Sequence, residues 1–167
     1  MGILSGNPKD EPMHYGEVFG MWTYLMTTKG LTVCYEVHLN HAGDSDLQAL
    51  LKDAIQLTKQ EAKEVESLLK ESGVPLPPTP PERSKADLEE IPTGARFLDP
   101  EIAASLARDV AGGLITCSTI MGESIREDIA MMFGKFHVQK AAFGARLLQL
   151  TKDKGWLIPP PLHISAK

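Results

Sequence analysis

Hydrophobic residues recur every three or four positions in four long stretches of the chain, which is the spacing of one helix face. In the first stretch Val18, Trp22 and Leu25 share a face, and in the third Ile102 and Leu106 do so. We predict helices at about 12–41, 45–72, 100–121 and 124–154. No stretch shows the alternation of a half-buried strand, so the pattern predicts an all-α protein.

Residues that favour helix ends flank each stretch. We expect the N-terminal caps to be Asp10 or Glu11, Asp44 or Ser45, Asp99, and Ser124 with Glu127, in the order of the four helices. Gly43, Gly73 and Gly155 follow the first, second and fourth helices, where glycine readily takes the left-handed conformation that ends a helix. The turn between the first two helices is short and predicts an antiparallel hairpin.

The segment 73–99, which we call the strap, separates the second helix from the third. Its stretch GVPLPPTPPERS (73–84) holds five of the twelve prolines of the chain. A simple up-and-down bundle needs only about 2–8 residues at this point. A proline-rich segment extends by about 3.1 Å per residue, enough to return along helices on the order of 40 Å long. The alternative is a tether between two domains, but the strap reading is favoured because Leu76, Ile91 and Phe97 can dock on helices.

The predicted fold is therefore a ferritin-like four-helix bundle with a long proline-rich crossover, spanning 1–167 as one domain. The first and fourth helices run up, and the second and third run down. The segment 156–167 is expected to form an extended C-terminal tail, because it contains three consecutive prolines.

Composition narrows the range of functions. The formal net charge is −5, so a general nucleic-acid or anionic-membrane surface is not indicated. No apolar run approaches the roughly 20 residues of a membrane span, and the opening MGILSGNPKD has no apolar region typical of a signal peptide. Cys34 and Cys117 are expected to be free, buried thiols, and a disulfide between them would contradict the predicted topology.

Four segments resemble a family of uncharacterised ferritin-like proteins of spore-forming bacilli, related to the spore coat protein F family. They are YEVHLNHAGDSDL, PPERSKADLEEIPTGARFLDPEIA, GLITCSTIMGESIRED and KDKGWLIPPPL. The features that resemble the spore coat protein F family are DPEIA, Glu123, Arg126 and the closing KGW. The resemblance implies a ferritin-like fold and a setting in sporulation, and it implies no established activity.

A ferritin-like bundle raises the question of a di-iron centre, which would need Glu on two helices and Glu-x-x-His on the other two. The predicted topology brings Tyr24, Glu61, Thr116 and His137 to the middle of the bundle. Only Glu61 and His137 are suitable ligands, so the di-iron ligand set is absent. His38 and His41 lie too far along the axis from His137 to share an ion with it.

A second candidate metal site lies at the opposite end of the bundle. His14 is expected on the core side of the first helix, with Glu17 one turn later and Asp128 of the fourth helix at the same height. Histidine and carboxylates from two helices could hold Zn, Mn or Fe. The competing interpretation is structural, with Glu17 and Asp128 paired to Arg126 or to His14.

The favoured hypothesis is a non-enzymatic, sporulation-associated protein that acts through protein–protein contacts, without a cofactor. Other spore coat proteins are candidate partners, the apolar tail suggests a homodimer, and the expected location is the cytoplasm or the spore coat. The alternative is a metal-binding protein or metalloenzyme that uses His14, Glu17 and Asp128. A third hypothesis is small-ligand binding between the helices, near Trp22, Tyr24, Met26 and Met132.

Overall fold

The structure is a computed structural model that describes residues 11–163. Its four long helices are α1 (Tyr15–His41), α2 (Ser45–Glu71), α3 (Asp99–Glu123) and α4 (Glu127–Asp153). Two short 3₁₀ turns, Leu88–Glu90 and Thr93–Ala95, lie in the strap. No strand occurs in the described range, and the predicted all-α, four-helix class is confirmed.

Contacts at the α1–α2 turn establish the direction of each helix. The amides of Gly43 and Asp44 donate to the Asp99 carboxylate at 2.8 and 3.1 Å, which brings the start of α3 to this turn. The Lys154 ammonium lies 2.7 Å from Asp44 Oδ2, which brings the end of α4 to the same place. Helices α1 and α4 therefore run towards this end and α2 and α3 run away from it, as predicted.

The strap follows α1 from one end of the bundle to the other. Side chains of α1 hold it along the way: Trp22 donates to the Pro75 carbonyl, Lys29 to the Pro77 carbonyl, Asn40 to the Ser84 carbonyl, and His41 accepts from the Phe97 amide. The order of these contacts is the same along α1 and along the strap. The proline-rich segment is thus a crossover fastened to the bundle.

The N-terminal cap of α1 differs from the prediction. Helix α1 begins at Tyr15 rather than near Pro12, because the His14 ring accepts from the Gly16 amide and acts as the cap. His14 therefore does not lie on the core side of the helix. Of the two residues predicted to cap α1, Asp10 lies outside the described residues. Asp44 caps α2 as expected.

The caps of α3 and α4 also require correction. Asp99 is the first residue of α3 and its carboxylate binds the α1–α2 turn instead of capping its own helix. Ser124 ends α3 by donating to the Ile120 carbonyl, so the predicted capping box of Ser124 with Glu127 does not form. Helix α4 begins three residues later than predicted, at Glu127.

The apolar interior of the bundle consists of two clusters, one towards each end. The cluster near the α1–α2 turn includes Tyr35, Leu47, Leu51, Leu106, Phe143 and Leu147. The cluster at the other end includes Met21, Leu25, Leu69, Ile129, Phe133 and Phe136. Buried polar residues lie between them, among them Thr28, Thr32, Thr58 and Glu61. We call this region the middle layer.

Both cysteines are free: Cys117 is buried and Cys34 is half-buried. They thus agree with the predicted topology, which a disulfide between them would have contradicted. None of the helices in residues 11–163 is long and apolar enough to cross a membrane.

Candidate functional site

A buried ion pair lies at the centre of the middle layer. Glu61 of α2 is only 2 % exposed, and both of its carboxylate oxygens lie 2.8 Å from the Lys140 ammonium of α4. The Tyr24 hydroxyl of α1 donates to the same carboxylate at 2.9 Å. The ammonium also lies 5.7 Å from the centre of the Tyr24 ring. Glu61 is thus fully compensated by charge and by hydrogen bonds.

Burial keeps the neighbours of this pair in their neutral forms. Desolvation raises the pKa of Tyr24 far above its usual value, and the nearby Glu61 charge raises it further. Desolvation also raises the pKa of the Cys117 thiol, whose sulfur lies 3.9 Å from the Tyr24 hydroxyl. Tyr24 therefore serves as a hydrogen-bond donor, and Cys117 is a packed thiol rather than a reactive thiolate.

A cavity of about 400 Å³ adjoins the middle layer, and all four helices line it. Its exposed lining residues are Thr27 of α1 and Arg108, Gly112 and Thr116 of α3, which places the mouth between these two helices. The inner wall is formed by buried side chains, including Tyr24, Tyr35, Thr58, Glu61 and Phe143. The cavity thus combines aromatic and aliphatic walls with a small number of polar groups, as ligand pockets do.

Asp109 of α3 supplies a second acidic group to the cavity wall. The Tyr35 hydroxyl hydrogen-bonds to its carboxyl group, while Asp109 Oδ2 is buried without a hydrogen-bond partner. Burial raises the pKa of Asp109, and the Arg108 charge opposes this only in part. Glu61 and Asp109 therefore differ: Glu61 has a cation in contact and Asp109 has none within 4.0 Å in the part of the chain that the structure describes.

His38 lies close enough to Asp109 for their charges to interact. Burial lowers the pKa of His38, and its Nδ1 atom has no hydrogen-bond partner. Cys34 Sγ lies 3.9 Å from His38 Nε2, which resembles a nucleophile and its base. Burial, however, raises the pKa of the Cys34 thiol and the Asp109 charge adds to the effect. The arrangement therefore does not activate the cysteine.

The residues of the predicted metal site have structural roles in this fold. Glu17 is buried and accepts from the amides of Ile125 and Arg126, both at 2.9 Å, and from the His14 amide at 3.1 Å. It therefore joins α1 to the α3–α4 turn. Asp128 receives two hydrogen bonds from the Arg126 guanidinium, at 3.0 and 2.7 Å, which holds its pKa below the usual range.

His14 is the remaining member of that set. Its Nδ1 accepts from the Gly16 amide, and its Nε2 lies 3.0 Å from the Glu123 carbonyl. Nowhere in residues 11–163 do three His, Cys, Asp or Glu side chains converge as metal ligands would. His14 Nε2 lies 3.7 Å from Glu17 Oε2, while Asp128 pairs with Arg126, as the competing interpretation has it.

The middle layer was predicted in part. Tyr24 and Glu61 meet as expected, but Lys140 rather than His137 is the α4 residue that reaches Glu61. The residues at this level do not fit a di-iron centre, because no three His, Cys, Asp or Glu side chains of residues 11–163 converge as ligands and an ammonium already neutralises Glu61. A signal for Lys140 was present in the sequence: it lies four residues after Phe136 and three before Phe143, on the buried seam.

The fold and its middle layer define an all-α bundle protein built around a buried ion pair and an adjoining cavity. The chain belongs to the family described as "Protein of unknown function (DUF3231)", whose model matches residues 1–167.

Individual proteins are similar to this chain over most of its length. The "Uncharacterized protein YvdQ" of Bacillus subtilis (strain 168) is 62 % identical over 164 residues, which cover 98 % of this chain and 96 % of that protein. The crystal structure of a "putative spore coat protein (BH2358)" from Bacillus halodurans C-125 is 57 % identical, with a TM-score of 0.94 over 95 % of this chain and 100 % of that one. A conserved hypothetical protein, Rv2844 from Mycobacterium tuberculosis, shares the fold at 12 % identity and a TM-score of 0.65 over 82 % of this chain and 98 % of that one.

Proposed function

We propose that this protein is a non-enzymatic, sporulation-associated bundle that acts through protein–protein contacts. The observation that carries the proposal is its 57 % identity, over nearly the full length of both chains, to a protein described as a spore coat candidate. Its proposed location is the cytoplasm or the spore coat, with other coat proteins as partners.

Exposed apolar side chains support a role in contacts. Tyr15 and Phe19 lie one turn apart on α1 and are 95 % and 71 % exposed. Ile115 of α3 and Met131 of α4 are 68 % and 75 % exposed. The α3 segment 111–122 contains no charged residue at all. Contiguous exposed apolar side chains are typical of surfaces that bind other proteins, and Tyr15 and Phe19 are neighbours on one face of α1.

The chemistry of the middle layer favours a role without catalysis. Both cysteines have raised pKa values, and the buried carboxylate of Glu61 is neutralised by Lys140. Neither an activated nucleophile nor a free general base therefore results from these groups.

We further propose the ferritin-like relation and a homodimer. The relation is supported by the crossover that joins two parallel helices, α2 and α3. The dimer is supported by the tail, in which Ile158 and Leu162 are exposed and Trp156 packs against the first apolar cluster. A tail anchored at Trp156 presents its apolar residues to a neighbouring copy.

Localisation during sporulation tests the proposal. The full chain is followed as a fluorescent fusion in the bacterium that encodes it, and extracts of purified spore coats are probed with an antibody. We expect the wild-type protein in the coat extract and a loss of this signal in the variant Tyr15→Ser/Phe19→Ser. The matched control, Lys52→Ser/Gln56→Ser, replaces two exposed α2 residues with the same spacing and is expected to behave as wild type. A protein found equally in vegetative cells and absent from spores contradicts the proposal.

A further inference from the structure

The cavity beside the middle layer has the features of a small-molecule site. We propose that it binds an amphiphilic primary amine, with an apolar ring or short alkyl body between the helices and the ammonium group at the Asp109 carboxylate. The proposal is independent of the coat role, since it concerns a ligand and not a protein partner.

The size and shape of the cavity suit a compact organic molecule. Its volume of about 400 Å³ falls within the range of about 300–1,000 Å³ found for ligand pockets. Two consecutive glycines, Gly112 and Gly113, line the cavity on the α3 side and place no side chain there. A Cβ atom at Gly112 would meet nothing within 4 Å, whereas a Cβ atom at Gly113 would lie 2.9 Å from Lys140 Cδ. The absence of a side chain at Gly113 therefore leaves room for the Lys140 side chain to reach Glu61. Gly112 places no side chain at the mouth of the cavity.

The walls provide a site for an apolar body. Aromatic and aliphatic side chains from all four helices line the cavity: Tyr24, Leu31, Tyr35, Leu57, Val110 and Phe143. A six-membered ring or a short alkyl chain would contact these groups and displace water from apolar surface, which is favourable. This part of the site selects for shape and apolarity and not for charge.

The charged groups on the wall determine the head group. Glu61 and Lys140 neutralise each other. Arg108 also lines the cavity, at an exposed position, and its guanidinium donates to Ser105 Oγ at 3.1 Å, so its charge opposes the effect of burial on Asp109 only in part. Of the two carboxylates that line the cavity, Glu61 and Asp109, Asp109 has no ion pair in the described part of the chain, and its Oδ2 accepts no hydrogen bond.

An ammonium group supplies the two things that Asp109 lacks, a positive charge and a hydrogen-bond donor. It brings a positive charge to a half-buried carboxylate, and its N–H groups donate to acceptor positions. A ligand carboxylate would instead be repelled by Asp109 and would find Lys140 already paired. For a metal ion, residues 11–163 bring no group of three His, Cys, Asp or Glu side chains together here.

Binding of phenethylamine to the full-length protein tests the proposal. Hydrocinnamate and phenethyl alcohol have bodies of similar size with an anionic and a neutral head, and serve as matched probes. Titrations followed by NMR chemical shifts of the protein report affinity and location together. We expect saturable binding of phenethylamine that perturbs residues of the cavity wall, and little or no binding of hydrocinnamate.

Two variants assign the roles of the residues. Asp109→Asn is expected to lower the affinity for phenethylamine about tenfold or more, because the hydrogen bond to a charged carboxylate is replaced by one to a neutral amide. Thr116→Trp fills the mouth from an exposed position and is expected to abolish binding. Asp53→Asn, at a surface carboxylate paired with Arg146, is the control and is expected to leave the affinity unchanged.

Several outcomes would overturn the inference. Equal binding of phenethylamine and phenethyl alcohol would show that the cavity recognises only the apolar part of the ligand. Equal binding of hydrocinnamate would exclude the ammonium subsite. An unchanged affinity in Asp109→Asn would place the amine elsewhere. Chemical-shift changes confined to surface residues outside the cavity, or no saturation at all, would show that the cavity is not a binding site.

Discussion

The Lys140 ammonium lies 2.8 Å from both carboxylate oxygens of Glu61, between the two apolar clusters of the bundle. The contact joins α2 to α4, and the Tyr24 hydroxyl connects α1 to the same carboxylate. Three helices thus meet at one buried charge. Removing the cation while leaving the carboxylate buried is the most costly change that this layer allows.

The variant Lys140→Met is expected to lower the free energy of unfolding by about 3 kcal/mol, since it leaves the Glu61 charge without its cation. Urea denaturation at neutral pH measures the change. The double variant Lys140→Met/Glu61→Leu removes both charges and is expected to recover most of that loss, because an apolar pair can replace a buried ion pair. Additive losses in the double variant would contradict a direct interaction.

Glu17 is the main connection between α1 and the α3–α4 turn, because its buried carboxylate accepts three backbone amides. The variant Glu17→Ala is expected to cost about 3 kcal/mol of stability, since these amides lose their acceptor. Glu17→Gln keeps one acceptor oxygen and is expected to lose less. Thermal unfolding of the two variants beside Glu127→Gln, an exposed acid of the same region, measures the difference. Equal losses in Glu17→Ala and Glu127→Gln would contradict the role of Glu17.

Helix positions and topology could be predicted from the sequence because both depend on patterns with a clear physical cause. The apolar seams of α1 to α4 repeat at helical spacing, and the strap of residues 73–99 is too long and too rich in proline for a simple turn. The helix ends were less predictable, since tertiary contacts override local preference. Asp99 is a good capping residue, but in the fold it binds the amides of Gly43 and Asp44.

The middle layer could be predicted only in part, because side-chain length matters as well as height along the bundle. A lysine at position 140 reaches Glu61 from three residues beyond the expected His137. Asp109 lies three residues after Leu106, beside the apolar seam of α3, but its position next to Tyr35 depends on how closely α1 and α3 approach. Such distances between helices result from the packing of all four helices and cannot be predicted from any one segment of the sequence.

Lys29 fastens the strap to the bundle. Its ammonium donates to the Pro77 carbonyl and to Thr79 Oγ1 and also pairs with Glu66 at 2.6 Å. The variant Lys29→Met is expected to open the strap more often, and trypsin should then cleave after Arg83 and Lys85 about tenfold faster. Mass spectrometry of the early fragments measures these rates.

The control for this experiment is Lys70→Met. Lys70 is exposed and pairs with the same Glu66 at 3.8 Å, and only its backbone carbonyl, which the substitution retains, bonds to the strap, at Gly73. Its variant is expected to be cleaved at the wild-type rate. Equal rates in the Lys29 and Lys70 variants would show that the remaining strap contacts, such as Trp22 with Pro75, hold the segment without Lys29.

His38 gives the protein a pH-dependent stability. Burial lowers the pKa of His38 below its ordinary value of 6.5, the charges of His41 and Arg108 act in the same direction, and Asp109 opposes them. The folded protein therefore takes up this proton at lower pH than the unfolded chain does. The contribution of His38 to stability is complete above pH 6.5 and is lost as the pH falls below it, by up to about 1.4 kcal/mol for each pH unit.

Urea denaturation at pH 8.0 and pH 5.5 measures this loss, and the comparison with His38→Gln isolates the residue. The variant lacks the titrating ring but retains Asp109, so we expect its stability to fall less between the two pH values than that of the wild type. His163→Gln, at an exposed position of the tail, is expected to keep the wild-type dependence. If the His38 and His163 variants lose equal stability on acidification, the buried ring is not the group responsible, and the pH dependence arises elsewhere in the fold.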